Sequence, residues 1–117
     1  MSKIDFENHL LFQHSLELFN SQKYHLAESK MMKIFENGTA NIEHYKLMAH
    51  IKGYRGLIFE QINVLEQAIN VEPNSIELLI MMSFAKLNIN DTNNAKAFSD
   101  QAVDFKPNTT SMWVALG

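Results

Sequence analysis

Two segments of the chain share one design and lie 34 residues apart. Each carries apolar residues at helical spacing and then stops at a proline, Pro73 in the first segment and Pro107 in the second, because a helix does not continue through proline. The same interval of 34 separates Ala68 from Ala102. A fixed period of this length indicates repeated helix–turn–helix units that stack side by side, each burying its apolar face against the next.

The composition is that of a globular helical domain. The chain has 117 residues, of which 46% are hydrophobic and 20% are charged, an ordinary balance for a folded protein. Its 2 prolines and 4 glycines leave few breaks in the chain, and this favours helices.

Charge and residue content argue against several classes of partner. The formal net charge is −3, whereas a nucleic-acid binder needs a basic face that displaces counterions from phosphates. The chain contains no cysteine, which excludes disulfides and thiolate chemistry. The longest nearly apolar run, 78–82, is too short to span a bilayer, and residues 1–8 lack the apolar core of a secretion signal. We therefore expect a cytoplasmic protein with no nucleic-acid partner and no membrane partner.

The period divides the chain into units, each with a helix A and a helix B. With the repeat proline set at position 32, a single domain 1–117 contains a lead-in 1–7, the units 8–41, 42–75 and 76–109, and a partial unit 110–117. The predicted helices cover about 6–20, 24–36, 42–54, 58–71, 76–88 and 94–105.

Small residues recur at fixed positions of these units. Alanine or serine stands at position 8, where helix A approaches helix B, and alanine recurs at positions 20 and 27. The partial unit adds Trp113, Leu116 and Gly117 in the spacing Trp-x-x-Leu-Gly. This pattern resembles the tetratricopeptide repeat family. The resemblance implies an all-α fold, a helix–turn–helix solenoid of three units and the start of a fourth that winds as a right-handed superhelix.

Besides His14 and Ile34 of unit one, three residues depart from the family pattern. Thr39 stands in place of the repeat proline of unit one. In unit two, Lys52 and Gln61 stand where an aromatic residue and an alanine are usual. We expect altered packing around Lys52 and Gln61 and the greatest divergence at the end of unit one, within an otherwise regular fold.

The resemblance also implies a binding surface, the concave face lined by helix A of every unit, which we call the groove. Its candidate peptide-binding residues are Phe12, Leu16, Phe19, Lys46, His50, Tyr54, Ile80, Phe84 and Leu87. Both ends of this set are apolar and its middle is polar. An apolar patch of this kind usually marks a binding site, so we expect a protein or peptide partner whose bound segment is apolar or amphipathic. In the alternative, residues 1–7 or a second copy of the chain fill the groove.

No catalytic, cofactor or metal site is predicted. The five histidines show no metal-ligand spacing, and segment 53–56 lacks the Gly-Lys-Ser/Thr ending of a phosphate-binding loop. Chaperone-docking members of the family clamp a peptide carboxylate with lysine and asparagine at positions 5 and 9. Unit one has Phe12 and Leu16 there, so the resemblance does not imply that activity.

The predicted function is therefore that of a non-catalytic binding scaffold, the interaction domain of a larger protein. One alternative is the scaffold part of an enzyme or signalling protein with a transferase or receiver domain elsewhere in the chain. Another is a stand-alone chaperone of the bacterial secretion type. The apolar edge formed by Phe98, Ala102 and Phe105 further predicts a weak homodimer through the C-terminal end.

Overall fold

The computed structural model describes residues 2–104, which fold into six α-helices. These are α1 (Lys3–Asn20), α2 (Tyr24–Glu36), α3 (Ile42–Tyr54), α4 (Ile58–Val71), α5 (Ile76–Asn88) and α6 (Thr92–Asp104). The all-α prediction is confirmed, and the bounds of α2, α3, α4 and α5 are those that the sequence predicts.

Part of the sequence prediction falls on residues 105–117, which lie outside the described residues. It includes the repeat proline Pro107, the Trp-x-x-Leu-Gly segment of the partial unit, and Phe105 of the C-terminal edge. The weak homodimer therefore stays a prediction.

Polar side chains set where the A helices begin. The Ser2 hydroxyl accepts a hydrogen bond from the Asp5 N–H at 3.1 Å, and the Asp5 carboxylate accepts one from the Ser2 N–H at 3.3 Å. This capping box explains why α1 begins earlier than predicted. Asn41 and Ser75, which are 34 residues apart, cap α3 and α5. The predicted N-cap role of Ser75 is confirmed, since its hydroxyl accepts from the Leu78 N–H at 3.3 Å.

The turn from helix A to helix B has the same geometry in every unit. The residue at position 15 has a left-handed backbone, with a φ of 62° at Gln22, 75° at Gly56 and 62° at Asn90. Each donates its N–H to the carbonyl three residues earlier, at 3.0, 3.0 and 2.9 Å, and the following residue donates five residues back. These are the two hydrogen bonds of a Schellman motif, which ends a helix sharply and lets helix B fold back on helix A.

Replacing Gln22 by glycine is expected to raise the free energy of unfolding by about 0.5–1 kcal/mol. The left-handed conformation costs a residue with a Cβ about 1–2 kcal/mol, and glycine avoids this cost while losing some backbone entropy on folding. Denaturant unfolding of both proteins measures the difference. Gln67→Gly, at an exposed helical position of α4, is the control and should lower stability by about 1 kcal/mol. A loss of stability in both variants would contradict the left-handed turn at Gln22.

Small residues let helix A and helix B of one unit approach closely. In unit one the Ser15 hydroxyl donates to the Ala27 carbonyl at 2.9 Å, and in unit three the Ser83 hydroxyl donates to the Ala95 carbonyl at 2.8 Å. All four residues are buried. The predicted contact between positions 8 and 20 is therefore confirmed in these two units.

Two apolar cores lie between successive helix pairs. The core between α2 and α3 consists of Ala27, Met31, Ile34, Leu47, Met48 and Ile51. The core of α3, α4 and α5 consists of Ala49, Ile62, Leu65, Ala68, Leu78, Met82 and Ala85. Ala68 and Ala102 are 0% and 1% exposed, as the 34-residue register predicts. Each unit thus buries its apolar side chains against its neighbour, as in a solenoid.

An asparagine holds the end of unit one, where the repeat proline is missing. The buried Asn8 side chain donates to the Thr39 hydroxyl at 2.6 Å and accepts from the Asn37 side-chain amide at 3.0 Å. Gly38 between them has a φ of 73°, which confirms its predicted left-handed cap. Side-chain hydrogen bonds from α1 therefore hold the chain in place where the other units use a proline.

A glycine accommodates the second departure from the pattern, Gln61. A Cβ placed on Gly53 would lie 2.5 Å from the Gln61 Nε2 atom. The larger side chain on α4 therefore occupies space that a glycine on α3 leaves empty.

The third departure, Lys52, is the centre of a charge cluster. Its Nζ lies 2.7 Å from Glu60 Oε1 and 3.1 Å from Glu28 Oε1, and the Arg55 guanidinium lies 2.7 Å from Glu28 Oε2. Burial acts to lower the pKa of Lys52, but the hydrogen bond to Glu60 and the nearby Glu28 carboxylate outweigh it and raise that pKa. Burial likewise acts to raise the pKa of Glu28, and Arg55 and Lys52 outweigh it and lower that pKa. Both groups therefore stay charged, and they join α2, α3 and α4.

Candidate peptide-binding groove

The nine candidate residues line three adjoining cavities. A cavity of about 260 Å³ between α1 and α3 is lined by Phe12, Leu16, Phe19, Lys46 and His50, together with Asn20, Glu43, Leu47 and Glu77. A second of about 440 Å³ is lined by His50, Gly53, Tyr54, Ile58, Gln61, Phe84 and Asn88. A third of about 250 Å³ is lined by Ile80, Ser83, Phe84, Leu87, Ser99, Ala102 and Val103. His50 is shared by the first two cavities and Phe84 by the last two, so the three cavities adjoin, and the third has α6 as its other wall. The role of the nine residues in binding stays a prediction.

The two ends of the groove differ in how much apolar surface they expose. Phe12, Leu16 and Phe19 are half-buried and pack against the core between α2 and α3. Phe84 on α5 is 64% exposed and Leu87 is 48% exposed. The C-terminal end therefore offers apolar side chains that are not required by the core, whereas those of the N-terminal end also support the fold.

An aromatic cluster stands between the first two cavities. Phe19 meets Tyr24 and Tyr54 edge-on, with ring centroids 5.4 Å apart in both pairs, and Tyr24 stacks on Tyr54 at 5.1 Å. Sequence reasoning missed Tyr24 as a groove neighbour because it considered side chains of helix A alone. The signal that could have found it is its place directly after the turn, where α2 begins beside the end of α1.

The middle of the groove is acidic. The Lys46 Nζ lies 3.1 Å from Glu77 Oε2 and 3.7 Å from Glu43 Oε1. The Lys46 side chain is 19% exposed, whereas those of Glu43 and Glu77 are 63% and 55% exposed. The hydrogen bond with Glu77 raises the pKa of Lys46, burial opposes it, and the charges of Glu77, Glu43 and Glu72 add to the rise. A ligand in the groove therefore meets carboxylates, while the lysine is covered and paired.

A polar cavity of about 410 Å³ adjoins the N-terminal end of the groove, lined by Asp5, Asn8, His9, Phe12, Gln13, Thr39, Asn41, Glu43 and His44. His44 is buried, and its Nδ1 accepts a hydrogen bond from the Asn41 N–H at 3.0 Å. The Phe12 ring stands edge-on to the imidazole at 5.1 Å. Burial lowers the pKa of His44, although the Glu43 carboxylate acts in the opposite direction. The neutral imidazole is thus part of the cap of α3.

The chain is expected to lose stability as pH falls below about 6.5, the ordinary histidine value, by about 1 kcal/mol, the size of a lost cap. The folded state holds His44 at a lowered pKa and so binds fewer protons than the unfolded state in this range, and protonation removes the Nδ1 acceptor. Thermal unfolding at a series of pH values measures the loss.

The glutamine variant His44→Gln should reduce this loss, because a glutamine at this position of a capping box can accept from the same N–H without titrating. The exposed His25 on α2 provides the control, and His25→Gln should keep the full loss. An unchanged pH dependence in His44→Gln would show that other groups cause it.

Residues 2–104 contain no group of three or more histidine, cysteine or acidic side chains arranged to hold a metal ion. Within the same range, no helix combines the length and the apolar character that crossing a membrane requires.

No family model matches the chain, and no curated protein matches it. Several solved structures match the chain in fold. PcrH from Pseudomonas aeruginosa matches with a TM-score of 0.84 at 12% identity over 100% of this chain and 89% of that one, and PcrH bound to the chaperone binding region of PopB gives the same TM-score. The Sgt2 TPR domain from Aspergillus fumigatus matches with a TM-score of 0.79 at 17% identity, over 94% of this chain and 74% of that one.

MamA from Desulfovibrio magneticus RS-1 matches with a TM-score of 0.76 at 15% identity over 81% of this chain. The chain spans about half the length of the MamA structures, 54% and 55%. Likenesses at these identities show the fold alone. The chain therefore has the tetratricopeptide repeat fold that its 34-residue pattern predicts.

Proposed function

We propose that the chain is a non-catalytic protein-binding scaffold that holds an apolar or amphipathic peptide segment in the groove. The observation that carries the proposal is the exposure of Tyr54, Phe84 and Leu87 along a concave surface. Large apolar side chains exposed together in a cleft are typical of binding sites rather than of solvated surface. The cytoplasmic location predicted from the sequence is part of this proposal.

The polar residues near the groove have structural uses, which supports a scaffold rather than an enzyme. The His44 imidazole caps α3, and the Ser15 and Ser83 hydroxyls donate to backbone carbonyls. His50 lies 6.5 Å from the Phe19 ring, centroid to centroid, in the aromatic cluster. These contacts give Ser15, Ser83, His44 and His50 structural roles, which supports a scaffold.

The solved structures support a peptide as the ligand. One PcrH structure contains the chaperone binding region of PopB, a segment of another protein. We propose the interaction domain of a larger protein as the setting of this chain. A stand-alone chaperone is the second candidate, favoured by the likeness to PcrH bound to the chaperone binding region of PopB. The coding sequence on both sides of residues 1–117 distinguishes the two, and a transferase or receiver domain there would indicate the scaffold part of an enzyme or signalling protein.

Panning a phage-displayed library of random peptides of about twelve residues on the full chain tests the proposal, since that length spans the groove in extended form. We expect selected peptides to bind Phe84→Glu at least about thirtyfold more weakly than the unchanged chain, the loss of one strong anchor. Synthetic peptides and calorimetry give the affinities.

Phe59→Glu is the matched control, because Phe59 on α4 is 74% exposed and lies outside the three cavities of the groove. It should bind the selected peptides as the unchanged chain does. Both variants should keep the helical circular dichroism spectrum. Equal affinities of the two variants, or a failure to select any peptide, would contradict the proposal.

A further inference from the structure

The charges in the middle of the groove define what a bound segment can place there. Lys46 is paired with Glu77 and Glu43, and the charge of Glu72 acts on it as well, so one ammonium group faces two carboxylates in contact and a third through its charge. The side chains of Glu43 and Glu77 are more than half exposed, whereas the Lys46 side chain is mostly buried. The potential in the middle of the groove is therefore negative.

Apolar surface lies on both sides of this acidic centre. Phe12, Leu16 and Phe19 line the cavity on the side of α1, and Phe84 and Leu87 line the cavities on the side of α5. Helices in contact lie about 8–10 Å apart, so the two apolar ends are separated by roughly two such steps across α3. An extended peptide covers that separation with about six residues.

We infer that the groove selects a peptide segment with a lysine or arginine between two apolar side chains, and this inference rests on the proposed function. The apolar side chains occupy the two ends, and the cationic side chain lies against Glu43 and Glu77. A peptide carboxylate is disfavoured at the same place, because it would have to displace Glu77 from Lys46. The partner is thus a basic amphipathic segment, and charge complementarity in the groove is what specifies it.

The peptides selected from the random library give the first readout. Lysine or arginine should be enriched at one position that is flanked on each side by an apolar residue about two or four positions away, because alternate side chains of an extended peptide lie on the same face. In synthetic peptides, replacing that basic residue by glutamine should weaken binding about fivefold, and replacing it by glutamate should weaken binding further. Raising the salt concentration should reduce the affinity of the basic peptide and leave that of the glutamine peptide almost unchanged.

Two variants of the chain should change the affinity for the basic peptide in opposite directions, and a site that clamps a peptide carboxylate would not show this pattern. Glu77→Gln should weaken binding of the basic peptide about fivefold. Lys46→Gln should strengthen it, because the Glu43 and Glu77 carboxylates lose their internal partner. Glu66→Gln, at an exposed position of α4 outside the three groove cavities, should leave it unchanged.

The outcomes distinguish the inference from the proposed function. Selected peptides that depend on Phe84 but lack a basic residue, or a Lys46→Gln variant that loses affinity, would overturn the inference and leave the proposed function standing. Peptides that bind the Phe84→Glu variant as well as the unchanged chain, or the absence of any selected peptide, would overturn both.

Discussion

Replacing Lys52 by alanine is expected to lower the free energy of unfolding by about 3 kcal/mol, the lower end of the range for removing one partner of a buried ion pair. The reason is that Glu28 is nearly buried and would keep Arg55 alone as its counter-charge, while the space of the lysine stem would be left empty. Denaturant unfolding followed by circular dichroism measures the loss.

Lys96→Ala is the control for this prediction. Lys96 also lies 2.7 Å from a carboxylate, that of Asp100, but both side chains are exposed. Its removal should leave the free energy of unfolding almost unchanged, because an exposed pair one helical turn apart contributes little to stability. Equal effects of the two replacements would mean that burial does not strengthen the Lys52 cluster.

A double-mutant cycle isolates the ion pair from the lost packing. Lys52→Met keeps most of the side-chain volume, and Glu28→Gln keeps the shape of the carboxylate without its charge. The two changes together should cost less than the sum of their separate effects by about 1–2 kcal/mol, because the second change removes a charge that the first has left with only one of its two partners. Additive effects would show that the two residues act independently.

Replacing Ala68 by leucine is expected to lower the free energy of unfolding by about 1–3 kcal/mol through overpacking. Ala68 is 0% exposed and lies in the core of α3, α4 and α5, where α4 meets the next helix pair. A larger side chain would hold the two pairs apart and weaken every contact between them. Thermal and denaturant unfolding measure the effect.

Ala97→Leu is the matched control, since Ala97 is an exposed residue in the middle of α6. Leucine is nearly as good a helix former as alanine, so this change should alter stability by less than about 0.5 kcal/mol. If Ala68→Leu left stability equally unaltered, position 27 would not be a contact between units.

Local chemistry explains why so much of the fold could be predicted. Helix bounds depend on residues within one turn of each other, such as the Ser75 cap and the Gly38 stop, and these were readable from the chain. The 34-residue period then predicts which residues pack between units, because a small residue that recurs once per unit faces the same neighbour each time. The period places Ala68 and Ala102 at buried positions, and both are buried in the structure.

The groove shows where such reasoning stops. Its nine candidate residues were selected from their positions in the repeat, and the structure places them along three adjoining cavities. How far each of these side chains is buried could not be predicted from its repeat position. Phe12 is half-buried against a core and Phe84 is largely exposed, although both are phenylalanines of helix A. That difference depends on which helices surround each side chain.

By itself, then, the sequence determined the six helices, their turns and the register in which the units stack, because these follow from neighbours along the chain and from a constant period. The tertiary structure alone decided how the departures from the family pattern are accommodated. Asn8 forms a hydrogen bond with Thr39, 31 residues away, and Lys52 forms an ion pair with Glu28 of the preceding unit. It also decided that Lys46 is paired with Glu77. The physical reason is that charge pairing and the hydrogen bonds of buried side chains depend on distances between helices, which no periodicity encodes.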